Sequence, residues 1–358
     1  MNDKINSMME QAVEEGIFPA AELLVGSPQK IIFHHHYGQS REGTCFDISS
    51  LTKPISTATL AMHFVSEDLL ATDDKLPKWF AAMLPDYQKM TVRHLLNHTS
   101  GLPAWHPYFR ELPLDLVGTD QGRQFIIDGC LNEETVSQPG VQTIYSDIGY
   151  ILLGAILEEV GLHTLDWLFH HRVAIPLKLK NTFFVRNIGV PLESATTPAD
   201  HLHRRFAPTE DCPWRGRVIH GEVHDPNAYA MGGVAGHAGL FSTGADVHQF
   251  ITTLVACHHG TSDWLPQETV RQFLDQKKNS FVLGWDTPAP KNSASGNHFS
   301  AHSIGHLGFS GCSMWIDLDQ NFWIILLSNR IHPDATNNKI KSFRPKIHNL
   351  VWKELLQP

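Results

Sequence analysis

Basic runs, long apolar stretches and paired cysteines are what this chain has little of. Its 28 Lys and Arg face 37 Asp and Glu, a formal net charge of -9, and no cluster of Lys or Arg stands out. Nucleic acid and acidic membrane surfaces both attract basic patches, so neither is expected as a partner. The best apolar segment, Ile148 to Leu157, is about half the length a membrane-crossing helix needs. Residues 1 to 20 carry Glu10, Glu14 and Glu15 and lack both a basic start and an apolar core. No signal peptide is therefore expected, and the cytoplasm is the expected location. The five cysteines, Cys45, Cys130, Cys212, Cys257 and Cys312, are odd in number and without Cys-x-x-Cys spacing. They read as free thiols in a reducing compartment, not as a disulfide frame or a zinc site.

The 23 histidines raise the question of a metal. His34, His35 and His36 follow Ile31, Ile32 and Phe33 in a strand-like run, where neighbours alternate sides, so three in a row cannot all face one ion. The pairs His170 with His171, His201 with His203 and His258 with His259 lack the His-Glu-x-x-His spacing of a zinc hydrolase. No metal and no cofactor is expected. The glycines of Met231 to Gly244 (Gly232, Gly233, Gly236, Gly239, Gly244) have no lysine near them and so do not form a phosphate loop. Close backbone packing suits them better, with His237 able to face a pocket.

What is present suffices for a large core: 358 residues, 42% hydrophobic and 18% charged, consistent with one globular unit of two lobes or with two domains. A helix is expected over Asp3 to Glu15, then strands at Ala20 to Val25 and Lys30 to Tyr37 around a Ser27-Pro28 turn. Ser50 through Leu69 reads as a long buried helix, Leu84 to Asp86 as a turn, and Thr91 as the cap of Val92 to Asn97. His98 to Gly101 ends that helix, so termination competes with chemistry as the account of His98 and Ser100. Ser146 or Asp147 would cap the apolar helix after Tyr145. Asn181 to Gly221 is irregular, and a helix is expected around Val247 to Val255. Strands are expected at Ser280 to Asp286, Gly311 to Leu318 and Phe322 to Ser328, the last two joined by a turn at Asp319 to Asn321, before a closing helix Ile340 to Leu356. The expected class is α+β, an antiparallel sheet built from N- and C-terminal strands with helices around it.

The chemistry centres on Asp47 to Lys53, Asp-Ile-Ser-Ser-Leu-Thr-Lys. At the start of a helix, Ser50 and Lys53 share one face, which puts a hydroxyl beside an amine. A serine is inert at neutral pH until a neighbour takes its proton. The spacing alone is common, and Ser27 to Lys30 repeats it in a turn without meaning. Tyr145, just outside a helix, can relay a proton if cations lower its pKa.

Three ordered signals, Ser50-Leu51-Thr52-Lys53, Tyr145-Ser146-Asp147 and His306-Leu307-Gly308, together resemble the serine β-lactamase and penicillin-binding superfamily, closest to class C β-lactamases and related esterases and D-amino-acid peptidases. Leu95 to Pro103, Gly233 to Thr243 and Gly305 to Asn329 match in the same order, so the likeness covers nearly the whole chain. It implies an α/β lobe of about 1–55 with 240–358 and a mainly helical lobe of about 56–239. It implies Ser50 as acylated nucleophile, Lys53 and Tyr145 as the basic partners, and Asp147 as an orienting group. The backbone N–H groups of Ser50 and Phe309 would form the oxyanion hole, and His306 with Gly308 the third motif.

The expected activity is a serine hydrolase acting on small esters, amides or D-amino-acid peptides. A non-catalytic or slow binder that senses β-lactams or cell-wall fragments is the alternative, and a metal hydrolase built on the histidines is a third reading. The chain departs from the family in three respects. His306-Leu307-Gly308 replaces Lys-Thr-Gly, which exchanges a permanent cation for an imidazole. Asp147 replaces Asn, which favours a protonated Lys53. No export signal is visible.

Overall fold

The computed structural model describes residues 3–186, 204–275 and 280–357; the His201 and His203 reading and part of the irregular Asn181 to Gly221 stretch lie outside them. Seven strands form the main sheet: β1 Ala20–Gly26, β2 Ile31–Gly38, β3 Phe281–Val282, β4 Trp285–Asp286, β5 Ser303–Leu307, β6 Ser313–Asp317 and β7 Phe322–Ser328. Their order is β2-β1-β7-β6-β5-β4-β3, antiparallel throughout, so the first and last strands of the chain pair directly through β1 and β7. This is the expected α+β class, with the sheet joining the two ends of the chain.

Every residue of β1 is buried, because both faces of the sheet are covered, and a strand covered twice reads as a continuous apolar run. Leu23 and Val25 pack with Ile5 and Met9 of the helix Asp3–Glu14 and with Phe343, Ile347 and Val351 of the helix Ile340–Val351. Leu24, on the opposite face, joins the larger core with Val247, Phe250 and Leu254 of the helix Gly244–His258. Side-chain alternation thus divides one strand between two cores. The exception to its apolar character is Glu22, which is 1% exposed.

The helix Asp147–Gly161 packs within the larger core, with Ile148 to Gly154 wholly buried. It is capped by Ser146, whose hydroxyl accepts from the Gly149 N–H at 3.1 Å. Gly236 lies against this helix so closely that a Cβ there would stand 2.1 Å from the Tyr150 carbonyl oxygen and 3.0 Å from the Gly154 Cα. The glycine-dense segment is therefore a packing device, as its composition suggested. Among the described residues, no single helix is long and apolar enough to cross a membrane.

Some local expectations change. The helix anticipated from Ser50 to Leu69 ends at Ser66 and begins with a tight turn at Ser49–Leu51 and a wide π turn at Lys53–Ala58. Leu84 to Asp86 is not a simple turn, since Pro85–Lys89 winds into a short 3-10 helix. His306 and Leu307 end an unanticipated strand, β5, directly ahead of the paired terminal strands β6 and β7. The helices Asp120–Leu131 and Gln267–Leu274 were not anticipated, nor was a small sheet of Phe46–Asp47, Leu240–Ser242 and Phe183–Phe184.

Candidate active site

Ser50 sits where this small sheet delivers the chain into a helix. Asp47, at the end of its strand, accepts from the Ser49 N–H at 2.8 Å and the His224 N–H at 2.7 Å. Burial pushes the Asp47 carboxyl up, against those two bonds. Ser49 takes a left-handed φ of 49°, and its hydroxyl accepts from the Ser310 N–H at 3.2 Å. A non-glycine residue in that region costs free energy and persists only where its surroundings hold it. Here the carboxylate of Asp47 and the loop after β5 supply that hold. Thr57 then donates to the Gly236 carbonyl at 2.6 Å, tying the wide turn to the glycine-dense segment.

Lys53 is fully buried. An ammonium has three N–H donors, and Lys53 Nζ has three acceptors: Ser50 Oγ at 3.0 Å, Asp147 Oδ1 at 2.7 Å and the His237 carbonyl at 3.0 Å. Burial disfavours its charge, but Asp147 and Tyr145 outweigh burial, so its pKa is raised. The buried pair therefore holds Lys53 as a cation.

Tyr145 is positioned by His98. The Ile144 N–H donates to the His98 carbonyl at 2.8 Å and the Ser146 N–H to His98 Nδ1 at 3.1 Å, which pins both neighbours of the tyrosine. The His98 and Tyr145 rings lie 4.5 Å apart. The Tyr145 hydroxyl lies close enough to Ser50 and Lys53 for both to act on its ionisation, and Lys53 Nζ stands 4.9 Å from its ring centroid. Burial raises the phenol's pKa and the Lys53 charge partly offsets this. His98, with a left-handed φ of 59°, both ends the helix Val92–Leu96 and serves the site, so the two accounts of it are compatible. Its pKa lies far below the ordinary value because of burial, then repulsion from Lys53 and His306, and Nδ1 is thereby free to accept.

These groups open into a cleft of about 740 Å³ lined by Ser50, Tyr145, Asp147, His237, His306 and Phe309, among others. His306 is buried, and burial together with Lys53 depresses its pKa to about 3. Its Nδ1–H donates to the Leu307 carbonyl at 2.9 Å, which leaves Nε2 as a bare acceptor. Gly308 meets the nucleophile turn so tightly that a Cβ would lie 2.6 Å from the Ile48 carbonyl oxygen. Phe309 follows, 54% exposed as a residue, with its ring stacked on His224.

Of the seven residues singled out in sequence, Ser50, Tyr145, Asp147, His306, Gly308 and Phe309 line one cleft, and Lys53 lies buried against Ser50 and Asp147. His237 reaches it in two ways: its carbonyl holds Lys53, and its Nε2 meets Asp225 Oδ1 at 2.9 Å. Burial works against the Asp225 charge, yet His237 outweighs it and holds the carboxyl well below its ordinary value. Sequence reading missed Asp47 as a brace, Asp225, and His98 as the residue that fixes Tyr145. Only His98 carried a local signal, the His-Thr-Ser-Gly helix stop.

The family model described as Beta-lactamase matches residues 5–343. The chain belongs to the beta-lactamase family. This beta-lactamase-family chain is 29% identical to a protein of Escherichia coli (strain K12) provisionally named a D-alanyl-D-alanine carboxypeptidase, over 98% of this chain and 89% of that protein. It is 30% identical to the N-acetylmuramyl-L-alanine amidase of Bacillus subtilis (strain 168), over 92% of this chain and 81% of that protein. Among solved structures it resembles EstCE1, a hydrolase with promiscuous acyltransferase activity, with a TM-score of 0.73 and 21% identity over 98% of both chains. The octameric penicillin-binding protein homologue from Pyrococcus abyssi also gives 0.73, at 18% identity, over 98% of this chain and 77% of that one. At such identities the structural likeness shows the fold, which is that of the serine β-lactamase and penicillin-binding superfamily.

Proposed function

We propose that the protein is a serine hydrolase that works through an acyl-enzyme on Ser50, with small esters, amides or D-amino-acid peptides as substrates. The observation that carries this reading is the hydrogen bond of Ser50 Oγ with a buried lysine at 3.0 Å, in a cleft that Ser50 and Tyr145 line together. Ser50 Oγ attacks the substrate carbonyl in the form of the enzyme in which the Tyr145 and Lys53 pair has already lost one proton to solvent, and the Ser50 proton fills that place. Charge on the tetrahedral oxygen is met by the N–H groups of Ser50 and Phe309. The pair returns the proton to the leaving alcohol or amine as the carbonyl–heteroatom bond breaks. Water then enters, gives up a proton to the same pair, and releases the acid from Ser50.

A neutral His306 in place of the family's lysine cannot grip a carboxylate as a permanent cation does. This favours esters and amides over efficient β-lactam turnover. Peptide and amide bonds near D-alanine or a muramyl group are named for the relatives, and belong among the first substrates to try. The second reading, a slow binder of β-lactams or cell-wall fragments, draws on the Lys53–Asp147 contact, because a lysine kept protonated is a poor base.

Intact-mass spectrometry after exposure to p-nitrophenyl esters, D-alanyl peptides and penicillins tests both. The expected result is an acyl adduct on the wild type, absent in Ser50→Ala, and released with turnover for at least one ester or amide. An adduct that persists without turnover favours the binder, and no adduct with any probe overturns the acyl-enzyme.

A further inference from the structure

Away from the cleft, Glu22 of β1 meets His34 and His36 of β2. Strand alternation, which prevents His34, His35 and His36 from facing one ion together, also places the first and third on the same side. His35 turns to the opposite face, its ring 4.9 Å from Tyr37, while the His34 and His36 rings stand 5.1 Å apart. Glu22 is the cross-strand partner of His36, and Leu24 that of His34. One ligand atom from each of Glu22, His34 and His36 lies within 4.8 Å of the other two, the only such group among the described residues. None of the three lines the catalytic cleft.

Glu22 is a buried carboxylate, and among the described residues no Lys or Arg pairs with it. Its oxygens meet His34 Nε2 at 2.7 Å and the Gly244 N–H at 2.9 Å. The second contact anchors one oxygen at the start of the helix Gly244–His258 and leaves the other directed at the imidazoles. His36 Nδ1 is 3.2 Å from the Ser40 hydroxyl, a partner that fixes the ring and leaves Nε2 as the donor to an ion. Such outer contacts orient ligands in built metal sites. His34 and His36 lie on the edge strand of the sheet, where His34 is exposed and His36 half-buried, so an ion has a path in and both rings have room to turn.

We propose that Glu22, His34 and His36 form a structural site for a divalent transition metal of the zinc class, with water completing the shell. Two imidazoles and a carboxylate are a borderline-soft donor set that suits zinc and not magnesium or calcium. With metal–ligand distances of about 2.0–2.1 Å, the three donor atoms draw together around the ion, and the Glu22–His34 hydrogen bond gives way to two metal bonds. The dication takes the place of the hydrogen-bond proton between Glu22 and His34, which leaves to solvent. It would fasten the edge strand β2 to β1 and, through Gly244, to the helix that covers the sheet.

The test uses the full-length protein stripped with a chelator and titrated with zinc alone against a colorimetric competitor, with thermal unfolding measured in parallel. Wild type should bind one zinc per chain ahead of any weaker sites and unfold at higher temperature with zinc present. His34→Asn with His36→Asn, two replacements on an exposed edge, should weaken that site by at least about tenfold and abolish the thermal shift. Glu22→Gln should weaken it as well, whereas His170→Asn with His171→Asn should not. Equal zinc binding by wild type and the His34/His36 variant, or no stoichiometric site in wild type, overturns the proposal.

Discussion

Lys53 Nζ stands 2.7 Å from Asp147 Oδ1, a cation and an anion joined across the floor of the cleft. Their separation in sequence is 94 residues, and the lysine is completely buried. A buried lysine is driven toward neutrality by desolvation alone, so the sign of its shift is decided by this partner. The same carboxylate also discourages ionisation of Tyr145.

Replacement of Asp147 by Asn therefore lowers the pKa of both candidate bases. The rising alkaline limb of kcat/KM against pH, measured with a p-nitrophenyl ester, should move to lower pH by ~1–3 units. Activity at neutral pH should rise if the deprotonated fraction of the base limits acylation. A limb that stays in place means the pair does not set the proton acceptor.

Tyr145→Phe removes the hydroxyl and keeps the ring that packs on His98. A general acid–base group contributes on the order of 10²–10⁴ in rate, and kcat should fall by that factor with little change in melting temperature. A loss below tenfold would leave Lys53 as the acting base.

Acid should destabilise the fold earlier than carboxylate protonation alone predicts. His306 has its pKa pushed down by burial to about 3, and His63 and His348 are likewise lowered by burial to about 4. A depressed histidine binds its proton only in the unfolded chain between its native value and about 6.5. Stability is then complete above about pH 6.5 and falls as pH drops toward 4, with a slope of up to about 1.4 kcal/mol per pH unit for each such group. Melting temperatures from pH 7.5 to 4.5 should show the decline, and His348→Gln should flatten it.

Gly236→Ala puts a methyl into the Tyr150 carbonyl and the Gly154 backbone, and neither is a flexible side chain. The glycine-dense segment must retreat, carrying the His237 carbonyl away from Lys53. Overpacking of this kind costs about 1–3 kcal/mol, and urea unfolding should report that loss together with reduced ester hydrolysis. Unchanged stability would show that the segment is free to shift.

Much of the frame is legible in the sequence because its signals are local. Ser27 and Pro28 mark the first hairpin, Ser146 caps the core helix, and Asp319 to Asn321 turn the last two strands, with Asn321 in the left-handed conformation such a turn uses. Phe46–Asp47, Phe183–Phe184 and Leu240–Ser242 were illegible because two or three residues carry no period. Asp120–Leu131 was obscured by Gly122 and Gly129, which dilute a helical pattern. In β5, Gly305 and His306 interrupt the apolar run that would have marked a strand.

The order of motifs along the chain fixed which residues could meet, since Ser50 and Lys53 are neighbours on one helical face and the resemblance named their partners. Folding alone decided the electrostatics. A carboxylate 94 residues away, a backbone carbonyl from the glycine-dense segment and a histidine that ends a helix set the charge on Lys53 and the aim of Tyr145. Charge in a buried site depends on the sum of desolvation and distant partners, and that sum exists only once the chain has closed around it.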